Sequence, residues 1–260
     1  MTRRASLAGG VAGAALGPLL IAQGLYVRRT ALRLPEPPGP REGVAGEGPA
    51  LRLLLLGDSA AAGVGALSQA EALSGQLASG LGADFRLFWR LLAKTGATTA
   101  QALRWLEEEP ATPFDAALTS LGVNDVTSGR VLGAWLRDQA RLADLLRDKF
   151  SVRILLLSGL PPVGRFPALP QPLRWWLGRR AERFDAALEA WARSRPGCEY
   201  LGLRAGGEVE VPDARMMASD GFHPGPAIYA LWARAAACRI RARLGGARRE
   251  KGDVAWPTGS

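Results

Sequence analysis

The chain is 260 residues long, 48% hydrophobic and 22% charged, which excludes a disordered tract and fits one globular domain with appendages. Its net charge of +9 is nearly all Arg and is spread along the chain, with one dense run at Arg239, Arg241, Arg243, Arg248 and Arg249. An Arg-rich solvated surface accounts for that pattern, a tail resting on anionic lipid is the alternative, and no nucleic-acid partner is expected.

Residues 5–27 carry no charge and are flanked by Arg3 and Arg4 before and by Arg28, Arg29 and Arg33 after. That length suits a membrane span, although only 16–27 is strongly apolar. An uncleaved signal anchor is the reading preferred over a cleaved signal peptide or a helix lying on the membrane, so the protein is expected to be membrane-associated or exported. Arg at both ends leaves the side of the membrane open. Pro35, Pro37, Pro38 and Pro40 then mark 34–50 as a spacer, which argues against a first helix packed on the domain.

Past this linker, short apolar runs at 51–56, 85–92, 114–121, 152–157 and, weakly, 199–203 alternate with segments of helical spacing. The helical stripes are Leu67, Ala70, Leu73, Leu77 and Leu81; then Leu132, Trp135, Leu136, Leu142, Leu145 and Leu146; then Leu173, Trp176, Leu177, Phe184, Leu188 and Trp191; and last Ile228, Leu231, Ala235 and Cys238. Strands alternating with helices predict a parallel sheet covered on both faces, a three-layer α/β/α sandwich over 51–243 with a basic, disordered tail at 244–260. Cys198 and Cys238 are too few for a disulfide framework and wrongly spaced for zinc. Pairing and two buried thiols both stay open.

Ligands of such sheets sit beyond the carboxyl ends of the strands, so the turns after the apolar runs are where chemistry is expected. The first turn reads Gly57-Asp58-Ser59-Ala60-Ala61-Ala62-Gly63. A Ser where a strand gives way to a helix stands at the rim with its N–H near the helix's positive end; a plain helix cap is the ordinary alternative. The only histidine, His223, follows Asp220 by three residues, close enough for the carboxylate to hold the imidazole in the tautomer that takes a proton from Ser59. Gly96 offers a bare N–H after the second run, and Gly122-Val123-Asn124 offers a side-chain amide after the third. Asp125 reads as structural, capping the next turn.

In this order, Gly57-Asp58-Ser59, Gly96, Gly122-x-Asn124 and Asp220-x-x-His223 resemble the four blocks of the SGNH (GDSL-like) hydrolases, over about 50–243. The resemblance implies a flavodoxin-like fold without metal or cofactor. It implies Ser59 as nucleophile, His223 as base and then acid, Asp220 orienting it, and an oxyanion hole of the Ser59 and Gly96 N–H groups with the Asn124 side chain.

The apolar loop 159–170 lies on the same rim, and Val163, Phe166 and Leu169 are expected to line an acyl pocket, packing over the sheet edge being the alternative. Trp175 and Trp176 either extend that wall or belong to the core. With the N-terminal apolar segment, this suggests lipid-like or medium-chain acyl esters, ahead of sugar deacetylation or a non-catalytic tethered binding protein on the same fold.

Overall fold

The computed structural model describes residues 2–204, 206–209 and 214–252, with side chains described between 16 and 244. Its centre is β2 (Ala50–Gly57), in which Leu51 and Leu53 to Leu56 are all buried. Leu is no strong strand former, and this run extends because both sheet faces are covered and every position finds an apolar partner. Odd positions, Leu51, Leu53 and Leu55, face a core with α2 (Leu73–Gly82) and α7 (Pro226–Gly252). Even positions, Leu54 and Leu56, face a second core with α3 (Thr99–Glu108), α5 (Leu132–Phe150) and α6 (Leu173–Arg193). The two-residue period of a strand thus assigns each Leu to one of two helix layers.

β3 (Arg86–Ala93), β4 (Ala116–Ser120), β5 (Ile154–Ser158) and β6 (Cys198–Leu201) run parallel to β2 in the order β3-β2-β4-β5-β6. This is the flavodoxin-like order, and the connections reverse direction between β2 and β4, where a crevice opens at the carboxyl ends. Gly57 pairs with Ser120 there, and the Asp58 N–H donates to the Ser120 carbonyl at 3.1 Å. A short helix, α4 (Val123–Thr127), follows β4 at once.

Several expectations need correction. The stretch 34–50 is not a free spacer: β1 (Glu42–Ala45) adds an antiparallel edge strand on β3, and Glu36 accepts bonds from the Thr95 N–H and hydroxyl at 2.7 and 2.8 Å. Proline is tolerated beside an edge strand because no further ladder needs its missing N–H. No helix follows Ser59 directly. Gly63 and Gly65 have φ of +90° and +100°, so 59–66 folds as successive turns, α2 begins only at Leu73, and Leu67 is 82% exposed. The inner face of α7 is Ile228, Tyr229, Trp232, Ala233, Ala236, Ala237 and Ile240; of the expected stripe Ile228 is buried, Leu231 and Ala235 are only partly buried against the same core, and Cys238 is exposed. Instead of opening a basic tail at 244, α7 continues to Gly252, and 253–260 lie outside the described residues.

Both cysteines are free. The N-terminal run forms a helix, α1 (Thr2–Thr30), and contrary to the argument from the linker it packs on the domain: Leu20 is buried in the core beside α6. Among the described residues no helix is long and apolar enough to cross a membrane.

Candidate active site

Chain closure brings the two ends of the sequence pattern together. Tyr229 in the first turn of α7 donates its hydroxyl to the Val64 carbonyl at 2.7 Å. Gly65 lets the loop before α7 come close, since a Cβ there would lie 2.3 Å from the Pro224 carbonyl oxygen. Ser59 and His223 are thereby held face to face, with Ser59 Oγ 2.8 Å from His223 Nε2. Their separation of 164 residues in sequence is spanned by these contacts rather than by any local motif.

The Asp220-x-x-His223 segment is shaped by Asp220 itself. Its Oδ1 accepts the N–H groups of Phe222 and His223, both at 3.0 Å, an Asx-type turn that fixes the loop. Its Oδ2 is left for His223 Nδ1 at 2.5 Å. Burial alone would raise the Asp220 carboxyl, but the bonds from the His223 ring and from the two N–H groups outweigh it and hold its pKa below the ordinary value. An ionised carboxylate on Nδ1 keeps a proton there and leaves Nε2 free to accept from a hydroxyl.

Asn124 is the bridge between the other two blocks. Its Nδ2 donates to the Ala97 carbonyl at 3.0 Å, and a longer contact of 3.3 Å reaches Asp58 Oδ2. Among the described residues neither the Ser59 nor the Gly96 N–H has a protein acceptor. Gly96 has a φ of +83° with open space where a Cβ would stand, and it is exposed beside Ala97 rather than part of the pocket wall. Asp125 points away: its Oδ2 accepts the N–H and hydroxyl of Thr99 at 3.0 and 2.9 Å. It therefore caps α3 rather than its own turn, and in doing so ties the Gly96 segment to the Asn124 segment. Asp58 is fully enclosed. Burial, helped by the charge of Asp125 and opposed by the Ala60 N–H, pushes its carboxyl up to about 7.

Ser59, Asn124 and His223 line one end of a cavity of about 200 Å³ whose other walls are almost wholly apolar, among them Leu160, Phe166, Leu203, Phe222, Ile228 and Trp232. Phe166 sits where the loop reading put it, edge-on to Phe222 with ring centroids 5.0 Å apart. Val163 and Leu169 do not line this cavity. Val163 lies on a one-turn 3-10 helix, Val163–Arg165, that presses onto α6 where Gly164 meets Gly178, and both side chains are buried in the core. Trp176 packs at the core's edge, while Trp175 is exposed. The loop is pinned by Asp185, whose Oδ1 accepts the Leu160 N–H at 2.8 Å and whose two oxygens take the Tyr200 hydroxyl.

A serine, a histidine and an aspartate bonded in series over an apolar cavity, at the switch point of a parallel sheet, define a hydrolase of the serine type. The model of the GDSL-like lipase/acylhydrolase family matches residues 55–231, and the chain belongs to that family. It is a carboxylic ester hydrolase. A GDSL-like esterase from Mycobacterium tuberculosis is 29% identical over 258 residues, 89% of this chain and 81% of that protein. The fold is shared with the psychrotrophic esterase EstA from Pseudoalteromonas sp. (TM-score 0.56, 19% identity, 75% of this chain and 98% of that one). It is shared too with an acetyl-xylooligosaccharide esterase from Geobacillus (TM-score 0.54, 18% identity, 73% and 93%).

Proposed function

We propose that the protein cleaves medium-chain acyl esters of lipid-like character through an acyl-enzyme on Ser59. The supporting observation is the relay from Ser59 Oγ through His223 to Asp220, at 2.8 and 2.5 Å. His223 takes the hydroxyl proton as Ser59 attacks the ester carbonyl and returns it to the departing alkoxide. Water, deprotonated by the same imidazole, then releases the acid. The Ser59 N–H and the Asn124 amide stabilise the oxyanion, which competes with Asp58 for the longer of the two Asn124 contacts, and the family pattern adds the N–H of Gly96, a residue outside the cavity wall in this structure.

Cavity size supports the acyl length. An apolar void of roughly 150 Å³ takes a six-carbon ring, so about 200 Å³ suits a chain of about eight carbons. Each buried methylene is worth ~0.8 kcal/mol, up to about fourfold in kcat/KM until the cavity is full. Arg165, exposed at the rim of the same cavity, adds a positive charge suited to an anionic lipid headgroup. Membrane attachment or export through residues 5–27 belongs to the same reading. Nitrophenyl esters from acetyl to palmitoyl, assayed with the wild type and Ser59→Ala, test it. The expected result is a rise to hexanoyl or octanoyl that the variant abolishes. Activity on acetyl alone points to deacetylation, and equal inertness of both proteins points to a binding role.

A further inference from the structure

Helix α1 has two sides with opposite demands. Leu16, Leu20, Gln23 and Val27 recur at steps of four, three and four and form the side against the domain: Leu20 is buried, and Leu16 and Val27 pack against the same core. Gln23 uses both ends of its amide there. Its Nε2 donates to the Gln171 carbonyl at 2.7 Å and its Oε1 accepts the Leu173 N–H at 3.0 Å, closing the start of α6. A stretch attached in this way is not surrounded by lipid. The opposite side carries Leu19, Ile21, Leu25 and Tyr26, all exposed, Ile21 by 66%. Between residues 16 and 27 no charged side chain interrupts it. A helix apolar on every side is one that is covered on every side, and an exposed apolar strip of this extent marks an interaction surface.

The charge around the strip favours one kind of cover. The first acid in the chain is Glu36, and Arg28, Arg29 and Arg33, at the carboxyl end of the strip, form no ion pair among the described residues. A second copy of the chain would bring like charges together, whereas anionic lipid attracts each basic residue held at its surface. Trp175, exposed near Gln171, supplies an aromatic suited to the depth of the headgroups. The loop 160–165 walls the cavity over Ser59 on one side, and on the other a groove that runs past Gln171 and Trp175.

We propose that α1 is an interfacial helix. It is docked to the domain by Leu20 and Gln23, with Leu19, Ile21, Leu25 and Tyr26 sunk in an anionic bilayer surface, so that the cavity over Ser59 lies beside the lipid boundary. The purpose this gives the helix rests on the lipid-ester reading; its geometry does not.

The full chain and the double variant Ile21→Glu/Leu25→Glu are sedimented with vesicles of phosphatidylcholine, with and without phosphatidylglycerol. The wild type is expected to bind the anionic vesicles, less so at high salt, and the double variant to lose at least tenfold in partitioning, because two large apolar side chains that the lipid would cover become charges. Hydrolysis of a soluble butyrate ester by the variant should be unchanged, which also shows that it is folded. Equal binding of the two proteins would overturn the proposal. So would retention of the wild type in membranes after an alkaline carbonate wash, the mark of a span, or a concentration-dependent dimer that ignores vesicles. Normal vesicle binding with no activity on lipid esters would remove the substrate reading and leave the docking intact.

Discussion

Replacing Asp220 by Asn tests the relay with almost no change of shape. Asp220 Oδ1 is committed to two backbone N–H groups at 3.0 Å, so the asparagine oxygen stays there and its NH2 turns to His223 Nδ1, where Oδ2 stood at 2.5 Å. Two donors cannot share that contact, so Nδ1 must become the acceptor and the ring proton moves to Nε2. That nitrogen lies 2.8 Å from Ser59 Oγ, and once protonated it can no longer take the hydroxyl proton. A wrong tautomer of this kind lowers kcat by ~10⁴ in the serine-protease template, about 5.5 kcal/mol at 1.36 kcal/mol per decade. The assay is kcat on a soluble nitrophenyl butyrate, with a thermal melt to show that the variant is folded. A folded variant that loses less than about tenfold would refute the reasoning, because Asp220 would then not set the tautomer.

Three further outcomes are expected. Asn124→Ala removes the amide between Ala97 and Asp58 and should lower kcat by about a hundred- to a thousandfold with little change in KM; a fall below about tenfold would tell against an oxyanion role. Asp185→Ala strands the Leu160 N–H and the Tyr200 hydroxyl at ~1–3 kcal/mol each. A melting point lower by roughly 4–12 °C should follow, with poorer KM for octanoyl than for acetyl esters as the cavity wall loosens, and an unchanged KM ratio would mean that the loop is held by other contacts. Asp58 titrates near 7 when folded against 3.8 as a free carboxyl. The native state therefore binds an extra proton between those values, so the stability this brings is full below pH 3.8, falls steadily as pH rises, and is lost once pH passes 7. Asp58→Asn lacks the titration, so its melting point relative to wild type should be more favourable at pH 8.5 than at pH 5.5. A difference that does not vary with pH would place the Asp58 pKa outside that window.

The parallel sheet was legible because Leu runs such as 51–56 have a single solution, burial on both faces, and because each run ends in a Gly-bearing turn. The edge strand β1 was not, since Pro and Gly report a spacer by composition, whereas pairing with β3 uses only backbone groups. In α7 the Ala-rich sequence gives too little contrast to fix a face. Tyr229 and Trp232 choose it by burying polar tips on Val64 and Ser158, partners remote in sequence.

The relay was legible as an ordered set of residues, because a lone histidine three residues after an aspartate admits few local geometries. The cavity was not. In an apolar loop without periodicity, Val163, Phe166 and Leu169 have equal claims, and the contact of Gly164 with Gly178 decides which turn inward. Of the wall residues not expected from the sequence, Val123, Phe222 and Pro224 carried a signal, their places inside or beside the blocks that hold Asn124 and His223. Leu160 belongs to the loop expected on that rim, whereas Leu203, Ile228 and Trp232 are brought there by the fold alone.

Covalent labelling tests the central claim most directly. Treated with a fluorophosphonate, the protein should gain one adduct, located by peptide mass spectrometry on Ser59, absent from Ser59→Ala and formed far more slowly by His223→Ala. An adduct on another serine, or labelling at full rate without the imidazole, would contradict a nucleophile activated by His223.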